Sequence, residues 1–286
     1  VWDVVERNEE YARGHDFPAR SIPYAAAEEF DWVGVLAGTN PAVLADSFQL
    51  LWVLNQRVPF VNDAAALFYL NSKITLSAAV PKENLPASYV SNDFEFLNNL
   101  VESDADRSWV LKPTNEGCGA DVYFIGKRER NRRALLQSAT GNEVPRYEMY
   151  SRNIIGLAKR YTAVQEYIPN VRANENRVII AGDVPVCGFR RFHFDDDDRA
   201  NVTLGTRFEG LNLTPEEDAF CRQLGKNLMS MGIYYSGIDL AYPYVMEFNL
   251  VNPGGLNYSF RATGVDQSSE AVNLVLAALQ ANGRIR

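Results

Sequence analysis

The sequence predicts an α/β protein with α+β sandwich elements, and three observations predict it. Residues 32–69 run strand, helix, strand, helix. Residues 108–125 hold two short β-rich runs around a glycine-bearing loop. Residues 236–256, SGIDLAYPYVMEFNLVNPGGL, read as a β-hairpin whose strands carry carboxylates. At 286 residues the chain can bury a sizeable core and divide into two or three sub-domains.

From the amino terminus, Val1–Arg13 is expected to be helical and Gly14–Pro23 a loop. Trp32–Leu36 (WVGVL) is a short apolar strand closed by Gly38 and Pro41. Over Pro41–Leu54, apolar residues at Val43, Leu44, Phe48, Leu51 and Trp52 recur at helical spacing. Val58–Val61 is a second strand and Ala64–Tyr69 a helix, so a small α/β domain ends near residue 70. A doubly wound sheet there needs one more strand, expected before Val1. Lys73, in NSKITL, reads by itself as a solvated helix lysine.

Pro81 and Pro86 interrupt the chain before a strand at Ala87–Val90. A helix over Asp93–Val101 carries Phe94, Leu97 and Leu100 on one face. Strand Trp109–Leu111 runs into Lys112-Pro113, a loop with Gly117 and Gly119, and strand Val122–Ile125. The loop is no Walker A motif, because G-x-x-x-x-G-K-[ST] is absent. Nor is it a Rossmann fingerprint, because strand-like residues follow it. Its glycines either let backbone amides approach a polyphosphate or turn a plain hairpin.

Asn131–Gln137 is helical, and Ala139–Arg160 is loop-like. AVQEYI at Ala163–Ile168 is a strand. Strands Val178–Ala181 and Val184–Cys187 join through Gly182-Asp183, a hairpin signal. Arg177 precedes that hairpin and Arg190-Arg191 follow it. Arginine forks there recognise carboxylate or phosphate, or line an exposed sheet edge. Asp195–Asp198 is a solvated loop. Thr214-Pro215-Glu216-Glu217 starts a helix, with Phe220, Leu224, Leu228 and Met231 as its buried stripe and Gly232 as its end. Gln267–Ala281 closes the chain as a helix with Val272, Val275, Leu276 and Leu279 inward.

Composition narrows the function classes. With 28 Lys and Arg against 36 Asp and Glu, the net charge of −8 opposes general nucleic-acid binding. No apolar run approaches a membrane span, so a cytoplasmic protein is expected. The dispersed Cys118, Cys187 and Cys221 show no zinc spacing. Two histidines, His15 and His193, leave little room for a histidine-based triad or metal cluster.

The late hairpin carries the sharpest chemistry. Ile238–Ala241 and Tyr244–Leu250 are its arms, and Glu247 and Asn249 point to one side. Asp239 lies across from them. Two carboxylates and an amide oxygen form a hard donor set that suits Mg²⁺ or Mn²⁺, or else they are a solvated sheet face. Asn252-Pro253-Gly254-Gly255 frees backbone N–H groups where an anion could dock.

Taken in order, these motifs resemble the ATP-grasp ligases, most of all prokaryotic-type glutathione synthetases and related peptide and amide ligases. The resemblance runs from about Val58 to Gly264. It rests on VPFVN, NSK, VLKP, the Gly117/Gly119 loop, VQEYIP, ENRVII, VPVCGFRR, Arg199-Ala200-Asn201 and GIDL…MEFNLVNPGGL. It implies the ATP-grasp fold, with an amino-terminal domain over 1–70 and two sub-domains, 71–162 and 163–286, that grip ATP between sheets. It implies that Lys73 and Lys112 hold ATP phosphates beneath Gly117 and Gly119. Gln165, Glu166, Tyr167 and Ile168 would line the adenine slot, and Glu175 would take the ribose. Arg177 and Arg190 would face the transferring phosphoryl group and the substrate carboxylate. Asp239, Glu247 and Asn249 would hold magnesium, and Asn201, Asn252, Gly254 and Gly255 would contact the acyl substrate. Glutathione synthetases commonly carry Ser-Pro-Thr where this chain has Asn252-Pro253-Gly254, so the departure falls on the substrate-selecting face.

The implied activity is ATP-dependent ligation of a small-molecule carboxylate to an amine through an acyl phosphate. It requires positioning and charge neutralisation, not a side-chain nucleophile. A lid is expected over about Phe192–Phe208. The resemblance also suggests a dimer or tetramer. The alternative is a nucleotide-binding regulatory or scaffold protein that keeps the fold without turnover.

Overall fold

The computed structural model describes residues 30–36, 44–115, 119, 121–141, 160–195, 199 and 205–285. The helix and loop expected before residue 24 and most of the loop expected over 139–160 lie outside them. Two antiparallel sheets organise the described chain. The first has four strands in the order β1-β4-β2-β3: Ser88–Ser91, Thr162–Glu166, Trp109–Pro113 and Tyr123–Ile125. The second has five in the order β7-β6-β5-β8-β9: Phe208–Gly210, Val184–Arg191, Asn176–Ala181, Tyr235–Ala241 and Tyr244–Asn249. β4 straddles the 162/163 boundary expected from the sequence and is an inner strand of the first sheet.

The amino-terminal part is less regular than expected. Helices α1 (Leu44–Asn55) and α2 (Ala64–Leu70) form. The strands expected at 32–36 and 58–61 reduce to one parallel bridge, Val33 to Phe60. No third strand is described beside them, and a pair this short cannot propagate a ladder.

Helices α3 (Phe94–Ser103) and α4 (Arg132–Thr140) cover one face of the first sheet. Asp93 caps α3 by accepting from the amides of Glu95 and Phe96. A four-residue α5 (Val171–Asn174) leads into the second sheet. α6 (Pro215–Ser230) begins with a full capping box. Thr214 Oγ1 accepts from Glu217 N at 3.2 Å, and Glu217 Oε2 accepts from Thr214 N at 2.9 Å. Its Cys221, Leu224 and Leu228 pack on Val178, Ile180, Ile238, Leu240 and Phe248 of the second sheet. Gly225 is as important as the apolar residues. A Cβ there would fall 2.8 Å from the Asp183 backbone, so only glycine lets α6 approach the β5–β6 turn.

α7 (Leu256–Thr263) and α8 (Ser268–Ala281) lie against β5, β6 and β7. α7 and β7 were not foreseen in the sequence. The inward stripe of α8 is Ala271, Val275 and Leu279. Val272, expected inward, is exposed. Alanine at 271 lets the helix lie close to the sheet and turns Val272 out.

Candidate active site

The site is built from the face of the first sheet opposite α3 and α4 and from the Arg177, Asp239 and Glu247 part of the second-sheet face opposite α6, the face that α7 and α8 cover elsewhere. On β2, side chains alternate. Trp109 and Leu111 are buried with Leu97, Val101 and Leu136 under α3 and α4. Lys112 therefore leaves the opposite side, where its Nζ donates to Gln165 Oε1 at 2.7 Å. Gln165 in turn donates to Ser88 Oγ at 3.1 Å. Burial pushes the Lys112 ammonium below its ordinary value of 10.5, against the pull of the Glu247 carboxylate, and Lys73 pushes it further. Glu175 and Asp239 are also close enough to act on it. Lys112 thus looks across the gap into the charged face of the second sheet.

Two β-bulges assemble that face. Gly182-Asp183 is a two-residue turn, and a regular ladder from it would set Arg177 opposite Gly188 and on the same side as Arg190. The observed register slips between Ile179 and Ile180, so Ile180 pairs with Pro185, Ile179 with Cys187 and Arg177 with Phe189. Arg177 then shares its side with Arg191. In the late hairpin a regular ladder would set Asp239 opposite Met246. The slip between Asp239 and Leu240 sets it opposite Glu247 instead, and Gly237 opposite Asn249. Asp239 also pairs with Arg177 across β5 and β8.

The charges interlock. Arg177 Nε donates to Asp239 Oδ1, its Nη2 to Asp239 Oδ2 at 3.0 Å, and its Nη1 to the Pro253 carbonyl at 2.6 Å. Arg191 Nη2 lies 2.9 Å from Asp239 Oδ2 and 2.7 Å from Glu175 Oε1. His193 Nε2 lies 2.9 Å from Glu175 Oε2. Burial alone would raise the Asp239 carboxyl pKa, but Arg177 and Arg191 hold it well below the usual carboxylate range. Burial would likewise lower the Arg191 value, and Asp239 and Glu175 push it up instead.

Lys73 opens a turn of 3₁₀ helix, Lys73–Ala78, and is not a solvated helix lysine. Its Nζ sits 3.1 Å from Glu247 Oε1. Its amide donates to Thr114 O at 3.0 Å, and Leu250 N donates to Asn71 Oδ1 at 3.2 Å. The NSK segment thereby ties the end of β2 to the end of β9. A pocket lined by Lys73, Thr114, Asn115, Glu247 and Asn249 lies at this junction. Asn249 Nδ2 is buried there without a hydrogen-bond partner.

The NPGG loop lies against β8. A Cβ on Gly237 would meet the Pro253 carbonyl at 2.8 Å, and one on Gly255 (φ 120°) would meet Ile179 Cδ1 at 2.7 Å. Asn252 and Gly254 are exposed beside Arg177. Gly119, with φ 72°, accepts from Arg199 Nη1 at 3.5 Å, which brings the glycine loop to the segment expected to be a lid. Gly117, Asn201 and much of that segment lie outside the described residues.

Some expected residues stand elsewhere. Arg190 points to the other side of the second sheet, donating from Nε to Asn176 Oδ1 at 3.3 Å and lying 3.8 Å from Glu209. Glu166 faces away from the cleft, 3.3 Å from Arg107. Tyr167 meets Phe124 edge-on at 6.0 Å, and Ile168 is buried with Val171, Ala241 and Met246 where the sheets meet. Arg191 and His193 are the residues that sequence reasoning missed. The only signal was the Arg190-Arg191 pair, and strand parity had to choose between them.

Comparison with known proteins fits this geometry. The family profile "Prokaryotic glutathione synthetase, ATP-grasp domain" matches residues 75–263. This chain belongs to that family. Its ATP-grasp domain accounts for both sheets. The chain is 24% identical to a glutathione synthetase of Nostoc sp. over 241 residues, 84% of this chain and 68% of that protein. It is 26% identical to one from Agrobacterium fabrum, over 78% of this chain and 64% of that one. With the Brucella melitensis enzyme it is 30% identical over 55% of this chain and 46% of the relative. It therefore spans about two thirds or less of these relatives. Among solved structures, D-cycloserine synthetase DcsG superposes with a TM-score of 0.62 at 14% identity, covering 91% of this chain and 86% of that one. D-alanine–D-alanine ligase of Bacillus anthracis, complexed with ATP, gives 0.58 at 16% identity, covering 90% and 82%. These likenesses confirm the ATP-grasp fold.

Proposed function

We propose that this protein is an ATP-dependent carboxylate–amine ligase that forms a peptide or amide bond between small molecules. One observation carries the reading. Lys112 from one sheet and the Lys73, Glu247, Asn249 and Asp239 group at the other face each other across the cleft between them.

Lys112 and Lys73 hold ATP phosphates as point charges, with Gly119 over them. Glu175 takes the ribose, and Gln165 to Ile168 the adenine. For Glu166 and Tyr167 this role falls to backbone, since the Glu166 side chain faces Arg107. Arg177, anchored by Asp239 and Pro253, presents a fixed fork to the transferring phosphoryl group and the substrate carboxylate. Arg190 stands too far round the sheet to share that role. Asn252, Gly254 and Gly255 contact the acyl substrate.

Asp239, Glu247 and Asn249 would hold Mg²⁺ or Mn²⁺. The set fits a hard cation because it is all oxygen once the unpartnered Asn249 amide turns its oxygen inward. When bound, the cation neutralises phosphate charge as the phosphoryl group moves. The chain's own cations position the two repelling anions, the carboxylate and ATP.

The test is ADP release on incubation with ATP, Mg²⁺ and a panel of acids and amines. Activity should fall by about 100-fold or more in Lys112→Ala and Glu247→Gln. Full activity in either variant would sink the assignment. Stabilisation by ATP with no ADP from any substrate pair would instead support the nucleotide-binding scaffold.

A further inference from the structure

The two arginines on Asp239 are held differently. Arg177 uses three nitrogens, two on Asp239 and one on the Pro253 carbonyl. Arg191 approaches both Asp239 and Glu175 with the same nitrogen, Nη2, and its buried Nε has no hydrogen-bond partner. Arg177 is fixed to backbone. Arg191 is held by the two carboxylates, with no backbone carbonyl on its guanidinium among the described residues.

Within this group the charges pair one to one. Asp239 and Glu175 are largely buried carboxylates, with side chains 8% and 13% exposed, and the two guanidiniums neutralise them. Buried carboxylates left without a cation are costly, so something must occupy them when the cleft is empty. A divalent cation added at Asp239 would then sit beside two guanidiniums with surplus positive charge. A polyphosphate arriving from the Lys112 side supplies the missing negative charge.

We propose that Arg191 is a place-holding cation, a positioning residue that occupies the Asp239–Glu175 pair while the cleft is empty and yields Asp239 to the divalent cation when nucleotide arrives. Freed from Asp239, its fork is on the cleft side to meet phosphate, the side from which Arg190 is absent. The proposal rests on the reading of Asp239 as a cation ligand. It makes cation binding conditional on nucleotide, which suppresses a metal-loaded site without ATP.

The experiment measures Mn²⁺ binding by electron paramagnetic resonance of the free ion, with and without a non-hydrolysable ATP analogue. The proteins are wild type, Arg191→Met, Arg191→Lys and, as a surface control on α6, Arg222→Met. Without nucleotide, Arg191→Met should bind Mn²⁺ about tenfold or more tighter than wild type, because a competing cation is gone. The tightening produced by the analogue should shrink accordingly. Arg222→Met should match wild type. Unchanged or weaker Mn²⁺ binding by folded Arg191→Met overturns the proposal and leaves the ligase reading intact. If Arg191→Met fails to fold, Arg191→Lys decides. Its side chain ends one atom short of the Arg191 Nη2 that now bridges both carboxylates, so its ammonium sits back from them; a gain of several-fold is expected and wild-type affinity overturns the idea. Wild type that binds no Mn²⁺ even with the analogue removes the cation site itself, and both readings fall.

Discussion

Asn62 offers the sharpest test of how the amino-terminal segment is attached. It is 5% exposed and makes four hydrogen bonds, all to backbone. Its Nδ2 donates to Tyr235 O at 2.7 Å and Leu250 O at 2.9 Å. Its Oδ1 accepts from Tyr234 N at 2.8 Å and Tyr235 N at 2.9 Å. One side chain thus clips residue 62 to the start of β8 and the end of β9, the two ends of the hairpin that carries Asp239 and Glu247. Asn62→Leu keeps the volume and removes all four bonds. At about 1 kcal/mol for each bond, the loss is about 4 kcal/mol, and orphaned buried groups move it upward. Asn71→Ala removes a single bond, to Leu250 N at 3.2 Å, and should cost about 1 kcal/mol. Equilibrium unfolding in guanidinium chloride, followed by far-ultraviolet circular dichroism, measures both. A loss below about 1 kcal/mol for Asn62→Leu would refute the reasoning, because the backbone groups would then have found other partners.

Further outcomes follow from the charges and the core. Lys112→Met should weaken ATP binding by about 100-fold in calorimetry while leaving the melting temperature near wild type, since methionine fills the same space without the burial cost of the ammonium; undiminished affinity would contradict the phosphate role. The Asp239 carboxyl is held below its ordinary 3.8, so its ionisation contributes stability above about pH 4 that is lost as pH falls towards the depressed folded value. Asp239→Asn should therefore be less stable at neutral pH yet show a flatter acid limb, and parallel acid limbs would count against the ion-pair account. Burial pushes the Cys221 thiol up to about 12, with Glu217 and Asp218 adding to it. Iodoacetamide at pH 8 should leave Cys221 unmodified in folded protein, as read by mass spectrometry, and modification at the denatured rate would overturn that.

Local signals were the legible ones. The capping box at Thr214 is a contact between neighbours in sequence, so α6 was readable from its first four residues. Glycine at 182, with φ 63°, made the β5–β6 turn readable in the same way. The two amino-terminal strands were not, because a five-residue apolar run forms a ladder only if a partner lies beside it, and Trp32–Leu36 gains one bridge. β7 was hidden because it follows a charged segment and exists only through its pairing with β6. Val272 and Ala271 both fit a helical stripe, and only the sheet beneath α8 chose the smaller one.

The sequence by itself determined the residue types of the site and their order, two lysines, a glycine loop, arginines and an Asp–Glu–Asn set, together with the turns that start each hairpin. It did not determine which of them face the cleft. Strand side chains alternate with period 2, so one inserted residue reverses the side on which every later residue lies. The bulge after Ile179 turned Arg191 inward and Arg190 out, and the bulge after Asp239 brought that carboxylate opposite Glu247. Those insertions reflect how sheet, helix and loop pack together, and only the tertiary structure decided them.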